Sequence, residues 1–356
     1  MPVHVYDFFC GCGGTSAGFK AANLDIRLGI DIDRDAQRTF EANFPEAVFL
    51  RRNIRNLPVE TLVPYIVRDP NTVLLFCCCA PCQPFSRQNK NRDSTKQEAL
   101  LLYEFANFVE YYLPELIFLE NVPGLQNVND GAGPFNDFVV FLKGLGYALD
   151  HDVIDSQDYG VPQRRKRLVL IASLLSEIKL PPRTHGPGTT NPSYSTVWDW
   201  ISLFPPIAAG ETHLDIPNHR AAMLSDMNLR RIRATPLGGG RLDWPEELVL
   251  ECHTKEYSGH TDVYGRMHRD RPASGLTTRC ISLSNGRFGH PEQDRAISVR
   301  EAASIQTFAE NFVFFGNLNS MARQIGNAVP VTLAQIFGEM FLIHFGQHCL
   351  DTNPNV

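Results

Sequence analysis

The stretch Thr72–Arg87, which reads TVLLFCCCAPCQPFSR, restricts the fold of this chain more than any other part of the sequence. Its opening TVLLF is apolar on both faces and too short for a typical helix, which predicts a buried strand of a parallel sheet. Pro81 has no N–H for a strand ladder and favours an extended Ala80, so we expect the strand to end there. Cys82 then lies at the carboxyl end of the strand, where open α/β sheets bind their ligands.

Four of the nine cysteines lie in this stretch, and they are not equivalent. We expect Cys77–Cys79 to pack in the core, because free cysteine is among the most buried residue types. Cys82, after the proline, is a candidate reactive thiol. The alternative is a metal site, since Cys79-x-x-Cys82 and Cys10-x-Cys12 could supply four sulfurs. We expect no metal, because zinc-binding pairs usually lie on loops and Cys79 continues an apolar strand.

Composition indicates a globular protein without a membrane span. The 356 residues are 43% hydrophobic and 20% charged, which is ordinary for a folded domain. The first residues lack a basic region followed by a long apolar run, and no stretch approaches the roughly 18 apolar residues of a membrane helix. We therefore expect a cytoplasmic location with reduced cysteines. The length allows one large core or two domains.

Charge is unevenly distributed along the chain. The net charge of −6 argues against general affinity for nucleic acid, but residues 1–160 hold 13 Lys/Arg against 21 Asp/Glu, whereas the remainder holds 20 against 18. A polyanion could bind a face formed by these cations, although charge alone leaves solvated surface arginines equally open. The clustered cations of the second half are Arg164, Arg165, Lys166, Arg167, Arg230, Arg231, Arg233, Arg266, Arg269, Arg271 and Arg279.

The N-terminal sequence predicts a nucleotide-type strand, turn and helix. VHVYDFF reads as a strand, and the glycines of CGCGGTSAGF form a turn before a helix that Thr15 or Ser16 could cap. Glycines allow a ligand to approach the backbone closely. LDIRLGIDID then reads as a second strand ending in Asp31 and Asp33. An acid there can accept hydrogen bonds from ribose hydroxyls, which we favour for Asp31, whereas Asp33 suits a helix N-cap.

Further strands and helices alternate along the first half. VFLRRNIRNL predicts a third strand with Asn53 and Ile54 at its end, and ALLLYEFANFVEYYL predicts a helix that Pro114 ends. ELIFLENVPG predicts a buried strand with Glu120 and Asn121 at its tip. This alternation predicts a doubly wound, mostly parallel α/β sheet with helices on both faces.

Glu120 is expected at the same sheet edge as Cys82 and Asp31. Partial desolvation there would raise its pKa and suit proton donation; alternatively, it pairs with an arginine of the QRRKR run, and both could hold. Gln163, Arg165 and Arg167 should share one face of a strand, where guanidiniums could hold a carboxylate, a phosphate or a base edge.

The hydrophobic periodicity of the sequence predicts three segments. Periodicity is lost after Leu180 and returns near Ala296. We expect a catalytic and cofactor-binding domain over 1–180, a smaller irregular recognition domain over 181–295, and C-terminal helices over 296–356 that return to the catalytic domain. Asn327 could be only a turn residue between those helices.

Eight motifs taken in this order resemble the DNA cytosine-5 methyltransferase family of bacterial type. The motifs are DFFCGCGG, GIDID, APCQPFS, ENVPG, QRRKR, RPASGLTT, HPEQDRAISVREAASIQTF and IGNAVPV. The resemblance fails only between about 184 and 262, where the family keeps its variable target-recognition segment. It implies a Rossmann-like fold, Cys82 as nucleophile, Glu120 at cytosine N3 and Arg165 supporting the base.

The resemblance also implies a cofactor and a partner. S-adenosyl-L-methionine would place its ribose on Asp31 and its adenine against Ile32; the family often has aspartate where Asn53 stands. The expected cofactor-binding residues are Phe9, Gly11, Gly13, Gly14, Asp31, Ile32, Asn53, Ile54, Pro81, Leu101 and Asn327. The partner is double-stranded DNA, from which the cytosine is flipped. The expected DNA contacts are Gln83, Ser86, Arg167, Arg230 and Arg231.

Other readings of the sequence stay open. An RNA cytosine-5 methyltransferase would use the same fold, and a catalytically silent DNA-binding regulatory relative is opposed only by the intact Cys82 and Glu120. A small-molecule methyltransferase is disfavoured, because it would need neither the arginine-rich second half nor a nucleophilic cysteine. A cognate restriction endonuclease is a possible companion in this family, and a monomer would suffice.

Overall fold

The computed structural model of the protein describes residues 2–69, 72–81, 100–126, 133–251 and 262–352. The chain divides into two compact units. The sheet unit comprises Met1–Tyr159, Lys166–Arg183 and Val329–Val356, and the second unit comprises Gly160–Arg165 and Thr184–Ala328. Segment 296–328, which the sequence groups with the C-terminal helices, therefore lies in the second unit.

A seven-stranded sheet organises the sheet unit, with the strand order β3-β2-β1-β4-β5-β8-β6. The strands are β1 (Val3–Phe8), β2 (Asp25–Asp31), β3 (Val48–Arg51), β4 (Val73–Cys78), β5 (Leu116–Asn121), β6 (Ala148–Asp155) and β8 (Lys166–Ser173). The first five are parallel, and β8 runs antiparallel to both β5 and β6. The predicted doubly wound, mostly parallel sheet is confirmed.

Helices cover both faces of this sheet. Among the described residues, the helices of the sheet unit are α1 (Gly14–Ala21), α2 (Arg34–Asn43), α3 (Leu101–Tyr112), α4 (Pro134–Gly144) and α9 (Val331–Thr352). On one face, Phe105 of α3 packs against Phe8 of β1 with ring centroids 5.1 Å apart. On the other, Phe118 of β5 contacts Phe19 of α1 and Phe337 of α9. Strands β1, β4 and β5 are buried along their whole length because apolar side chains meet helices on both sides.

The start of α1 differs from the sequence prediction. Its N-cap is Gly13, in a left-handed conformation and without a side-chain cap. The two predicted capping hydroxyls are used elsewhere: Ser16 donates to Asp7, and Thr15 lies 3.3 Å from the Cys79 sulfur. The predicted cap of α2 is confirmed, since Asp33 accepts from the N–H groups of Asp35 and Ala36.

The C-terminal segment Leu318–Leu350 is long and apolar enough to meet a length-and-hydropathy criterion for crossing a membrane. Half of its most apolar window is buried inside the protein, and residues 328–330 interrupt the helix. Phe337 and Phe341 of α9 contact aromatic rings of the sheet unit. These contacts show that α9 is apolar because it packs in the core of the sheet unit.

The second unit has little regular structure among its described residues. Its strands β7 (Gln163–Arg164) and β9 (Ala273–Ser274) form a parallel pair. Its helices are α5 (Val197–Ile201), α6 (Asp226–Ala234), α7 (Val299–Ile305) and α8 (Leu318–Asn327). A buried ion pair holds its interior, because both oxygens of Glu301 accept from the Arg295 guanidinium at 2.7 Å. Ser298 caps α7 and bonds His219, which ties this helix to its own unit.

Candidate active site and cofactor pocket

A tight glycine loop joins β1 to α1 at the carboxyl edge of the sheet. Phe9, Gly11 and Gly13 all have positive φ, at 60°, 52° and 91°. A Cβ at Gly13 would approach the Phe44 ring to 2.5 Å, so both conformation and space require glycine there. A Cβ at Gly11 would meet no atom within 4 Å, so that side of the loop is open to a ligand.

Asp31, at the end of β2, anchors this loop. Its Oδ2 accepts from the Gly11 N–H at 2.9 Å, and its Oδ1 accepts from the N–H groups of Ile32 and Asp33 at 2.7 and 2.9 Å. Burial raises the pKa of Asp31, whereas these three N–H donors act to lower it. A carboxylate has about four acceptor positions, so one on Oδ2 remains for a ligand hydroxyl. Ile32, directly beyond, is 66% exposed.

Asp7, inside β1, is a buried acid that the sequence analysis did not single out. It is fully buried, and Ser16 donates a 2.6 Å hydrogen bond to its Oδ2. Its Oδ1 has no hydrogen-bond partner among the described residues. Burial raises the pKa of Asp7 to about 7, and the Asp31 carboxylate acts in the same direction. The signal was present in VHVYDFF, where one charge interrupts an apolar strand.

The other predicted cofactor residues of the sheet unit have mixed surroundings. Ile54 and Leu101 are buried members of one apolar cluster. Asn53 is exposed, and its side-chain carbonyl accepts from the Arg55 N–H at 3.1 Å, which caps the short turn Ile54–Asn56. Pro81 is exposed, three residues beyond the end of β4. The proximity of Phe9, Gly11 and Asp31 supports a cofactor pocket, and the contacts of the remaining residues with a cofactor stay predictions.

The ends of β4 and β5 are tied together beside this edge. The Asn121 side-chain amide donates to the Ala80 carbonyl at 3.2 Å, and its oxygen accepts from the Val122 N–H at 2.8 Å. Asn121 therefore fixes the backbone two residues before Cys82. Cys82, Gln83 and Ser86 themselves lie outside the described residues.

Glu120 is buried next to an arginine. Arg167 Nε lies 2.7 Å from Glu120 Oε1, although its N–H is not aligned for a hydrogen bond. The two side chains are 16% and 8% exposed. The sequence alternative in which Glu120 pairs with an arginine of the QRRKR run is therefore confirmed, and that arginine is Arg167.

The predicted common face is present for Gln163 and Arg165, because both side chains form hydrogen bonds with the backbone of Leu276. The place of Arg167 on that face stays a prediction. The strand breaks between Arg164 and Lys166, so the first two residues belong to the second unit and Arg167 to the sheet unit. Arg165 is buried, and its guanidinium donates to three backbone carbonyls rather than facing open space. These are the carbonyls of Leu276, Gly326 and Ala328, at 2.9, 2.9 and 3.3 Å. Asn327 ends α8 between two of them, and its role at the cofactor stays a prediction.

The two predicted DNA contacts of α6 differ in exposure. Arg230 is exposed. Arg231 is buried: its Nε donates to the Leu248 carbonyl at 3.0 Å, and its guanidinium lies 5.5 Å from the Trp244 ring centroid. Arg231 therefore packs within the second unit and is not available to a phosphate, because a one-residue step along a helix moves a side chain to another face.

Comparison with known proteins shows the family of the chain. The family model of C-5 cytosine-specific DNA methylases matches residues 3–342. The chain belongs to the C-5 cytosine-specific DNA methylase family. This DNA methylase is 42% identical over 343 residues to the type II methylase M.HgiDII of Herpetosiphon aurantiacus, covering 94% of each chain. It is 33% identical to the type II methyltransferase M1.HphI of Haemophilus parahaemolyticus, over 96% of this chain and 87% of that protein.

Solved structures share the fold of this DNA methylase. A protein encoded within an Escherichia coli prophage superposes with a TM-score of 0.70 at 21% identity, covering 97% of this chain and 99% of that one. A mutant of Spodoptera frugiperda DNMT2 gives a TM-score of 0.62 at 16% identity, covering 95% and 99%. At these identities the likeness supports the fold alone.

Proposed function

We propose that this DNA methylase transfers a methyl group from S-adenosyl-L-methionine to C5 of a cytosine flipped out of duplex DNA, with Cys82 as the nucleophile. One observation carries the proposal: three features lie at the carboxyl ends of strands of one sheet. They are the loop that Asp31 anchors, the hydrogen bond from Asn121 to Ala80 just before Cys82, and buried Glu120. Ligands of open α/β sheets bind at that edge.

The residues of the pocket fit a nucleoside. Asp31 keeps one acceptor position after bonding the loop, which suits a ribose hydroxyl. Ile32 offers an exposed apolar surface to a base, and Gly11 leaves space beside the backbone. Bound S-adenosyl-L-methionine would supply an electrophilic methyl group.

Cysteine chemistry is needed because cytosine C5 is a poor nucleophile. Addition of the Cys82 thiolate to C6 converts the ring to an enamine that is nucleophilic at C5, and loss of the C5 proton later expels the thiolate. Glu120 would hold a proton at N3 while electron density builds there, and Arg167 would orient its carboxyl group. A stacked base cannot reach these groups, so the cytosine must leave the duplex, which costs a few kcal/mol.

The names of the similar proteins suggest a restriction-modification system for this chain. Both similar proteins named above are type II enzymes, and we propose that this chain acts beside a restriction endonuclease that cuts the same site. No step requires a second copy of the chain, so a monomer suffices, and we propose that it acts in the cytoplasm, where the DNA lies.

The test is methyl transfer from labelled S-adenosyl-L-methionine to mixed-sequence duplex DNA and, separately, to RNA. We expect 5-methylcytosine in DNA with the wild type and none with Cys82→Ala. Product in RNA but not in DNA would replace the proposal with the RNA reading. A wild type that binds the cofactor and modifies neither polymer in a library of all short sequences would favour the silent regulatory relative.

A further inference from the structure

The second unit contains a cavity of about 200 Å³ whose lining includes three arginines. Water occupies roughly 30 Å³ per molecule in the liquid, so the space suits several waters or one small anion. The polar residues around it are Arg164, Asp262, His268, Arg271, Ser274 and Arg287.

One of the three arginines forms part of the wall. The Arg287 guanidinium donates to the carbonyls of Gly238 and Gly239 at 2.6 and 2.7 Å, and its Nη2 lies 3.1 Å from Asp262 Oδ1. Arg164 and Arg271 differ. Both are exposed, and their guanidiniums have no ion pair or hydrogen bond within the part of the chain that the structure describes.

The backbone of Arg164 is held by its neighbours. Its strand β7 pairs with β9 in the register Arg164↔Ser274, and the Gln163 side-chain oxygen accepts from the Leu276 N–H at 2.7 Å. Arg165 donates to the Leu276 carbonyl at 2.9 Å. The backbone on both sides of Arg164 is thus fixed by buried contacts, which orders the site before an anion arrives and reduces the entropic cost of binding.

His268 lines the cavity together with the three arginines. Burial lowers the pKa of His268, and Arg271, Arg287 and Arg164 lower it further, whereas Asp270 acts in the opposite direction. An imidazole surrounded in this way reports a site of positive potential.

Nearby arginines of the same sequence cluster are not available for this purpose. Arg266 is buried and donates to four backbone carbonyls and to Asp294. Arg269 stacks 4.1 Å from the Trp198 ring centroid, with Glu292 at 2.6 Å. The structure therefore selects Arg271 from a cluster whose members look alike in the sequence.

We propose that Arg164 and Arg271 bind one phosphate of the DNA backbone at this cavity and so fix the position of the second unit's surface on the duplex. Planar guanidiniums match phosphate geometry. The lining carboxylate, Asp262, pairs with Arg287, which leaves the charges of Arg164 and Arg271 for an oxyanion. The assignment to DNA rests on the proposed function, because free phosphate has the same chemistry.

The first arm of the test uses inorganic phosphate with the full chain. We expect phosphate to raise the pKa of His268, followed by NMR and assigned with His268→Gln, and to lose this effect in the double variant Arg164→Gln, Arg271→Gln. Arg220→Gln, an exposed arginine of the same unit that does not line the cavity, is the matched control and should respond like the wild type. Absence of any response to phosphate in the wild type would overturn the anion site. This arm requires no methyl transfer, so its result is independent of the proposed function.

The second arm measures binding of mixed-sequence duplex DNA as salt is raised. Loss of one phosphate contact should weaken binding about tenfold in the double variant and flatten the slope of log K against log salt by about 0.9, with the control unchanged. Phosphate binding combined with unaltered DNA affinity and slope would show that the site takes a free anion, and would overturn the assignment to DNA.

Discussion

Arg167 Nε and Glu120 Oε1 lie 2.7 Å apart in a setting where both side chains are mostly buried. Removing one partner of such a pair leaves the other charge desolvated and unpaired. We predict that Arg167→Gln lowers the free energy of unfolding by roughly 1–3 kcal/mol and that Glu120→Gln partly restores it in the double variant. Urea denaturation of the four proteins of the cycle measures the coupling.

The matched control for this cycle is Arg183→Gln. Arg183 is 62% exposed, with its Nη1 3.9 Å from Asp158 Oδ2, and its loss should change stability by less than about 0.5 kcal/mol. A coupling energy near zero between Arg167 and Glu120 would contradict the prediction.

Ile32 provides a test of the cofactor pocket that is separate from stability. Because its side chain is 66% exposed, Ile32→Ala should leave the free energy of unfolding nearly unchanged. If a base packs on it, the loss of roughly 1–2 kcal/mol of apolar contact should weaken S-adenosyl-L-methionine binding about 5- to 30-fold. Calorimetric titration checks this against Val48→Ala, a 41% exposed residue at the opposite end of the neighbouring strand. Equal affinities in both variants would remove Ile32 from the pocket.

Asp7 should make stability depend on pH. Its pKa is raised from 3.8 to about 7 in the folded protein, so the folded state holds a proton that the unfolded state has released between these values. Stability therefore falls as pH rises from about 4 to about 7, by roughly 2–4 kcal/mol for this group. Asp7→Asn should remove this loss of stability, because asparagine does not titrate.

The measurement is the difference in unfolding free energy between wild type and Asp7→Asn at about pH 5 and about pH 8. The asparagine variant should gain on the wild type as pH rises. Ser16→Ala, which removes the donor to Asp7 Oδ2, should raise the Asp7 pKa further and so extend the loss of stability to higher pH. A difference that is constant with pH would exclude a protonated Asp7.

The adjacent residues Arg230 and Arg231 should give opposite phenotypes. Arg231→Gln removes hydrogen bonds to Leu248 and Asn228 and should lower the free energy of unfolding by about 1.5–3 kcal/mol. Arg230→Gln should leave stability within about 0.5 kcal/mol but weaken DNA binding and flatten its salt dependence. Unchanged DNA affinity and salt slope in Arg230→Gln would place that residue outside the interface.

The sheet could be predicted from the sequence because its signals are local. Apolar runs, Pro114 and the glycine turn mark where strands and helices end, and the acids at Asp31 and Glu120 follow directly from those ends. The cap of α2 at Asp33 was readable for the same reason.

Features that depend on tertiary contacts could not be read in this way. The strand break after Arg164 follows from pairing with Ala273–Ser274, which lies more than 100 residues away. Arg230 and Arg231 are the same residue type in adjacent positions, and the contacts of Arg231 with Trp244 and Leu248 identify the buried one. Thr15 and Ser16 looked like caps because their competing partners, Cys79 and Asp7, belong to other elements.

The central claim is that Cys82 attacks C6 of the target cytosine. The most direct measurement uses mixed-sequence duplex DNA in which cytosine is replaced by 5-fluorocytosine, because a fluorine at C5 cannot be released as a proton and the adduct should persist. With S-adenosyl-L-methionine present, we predict a covalent protein–DNA complex whose modified peptide carries the nucleotide on Cys82. Formation of 5-methylcytosine in ordinary DNA without any such adduct, or an adduct on a different cysteine, would contradict the account.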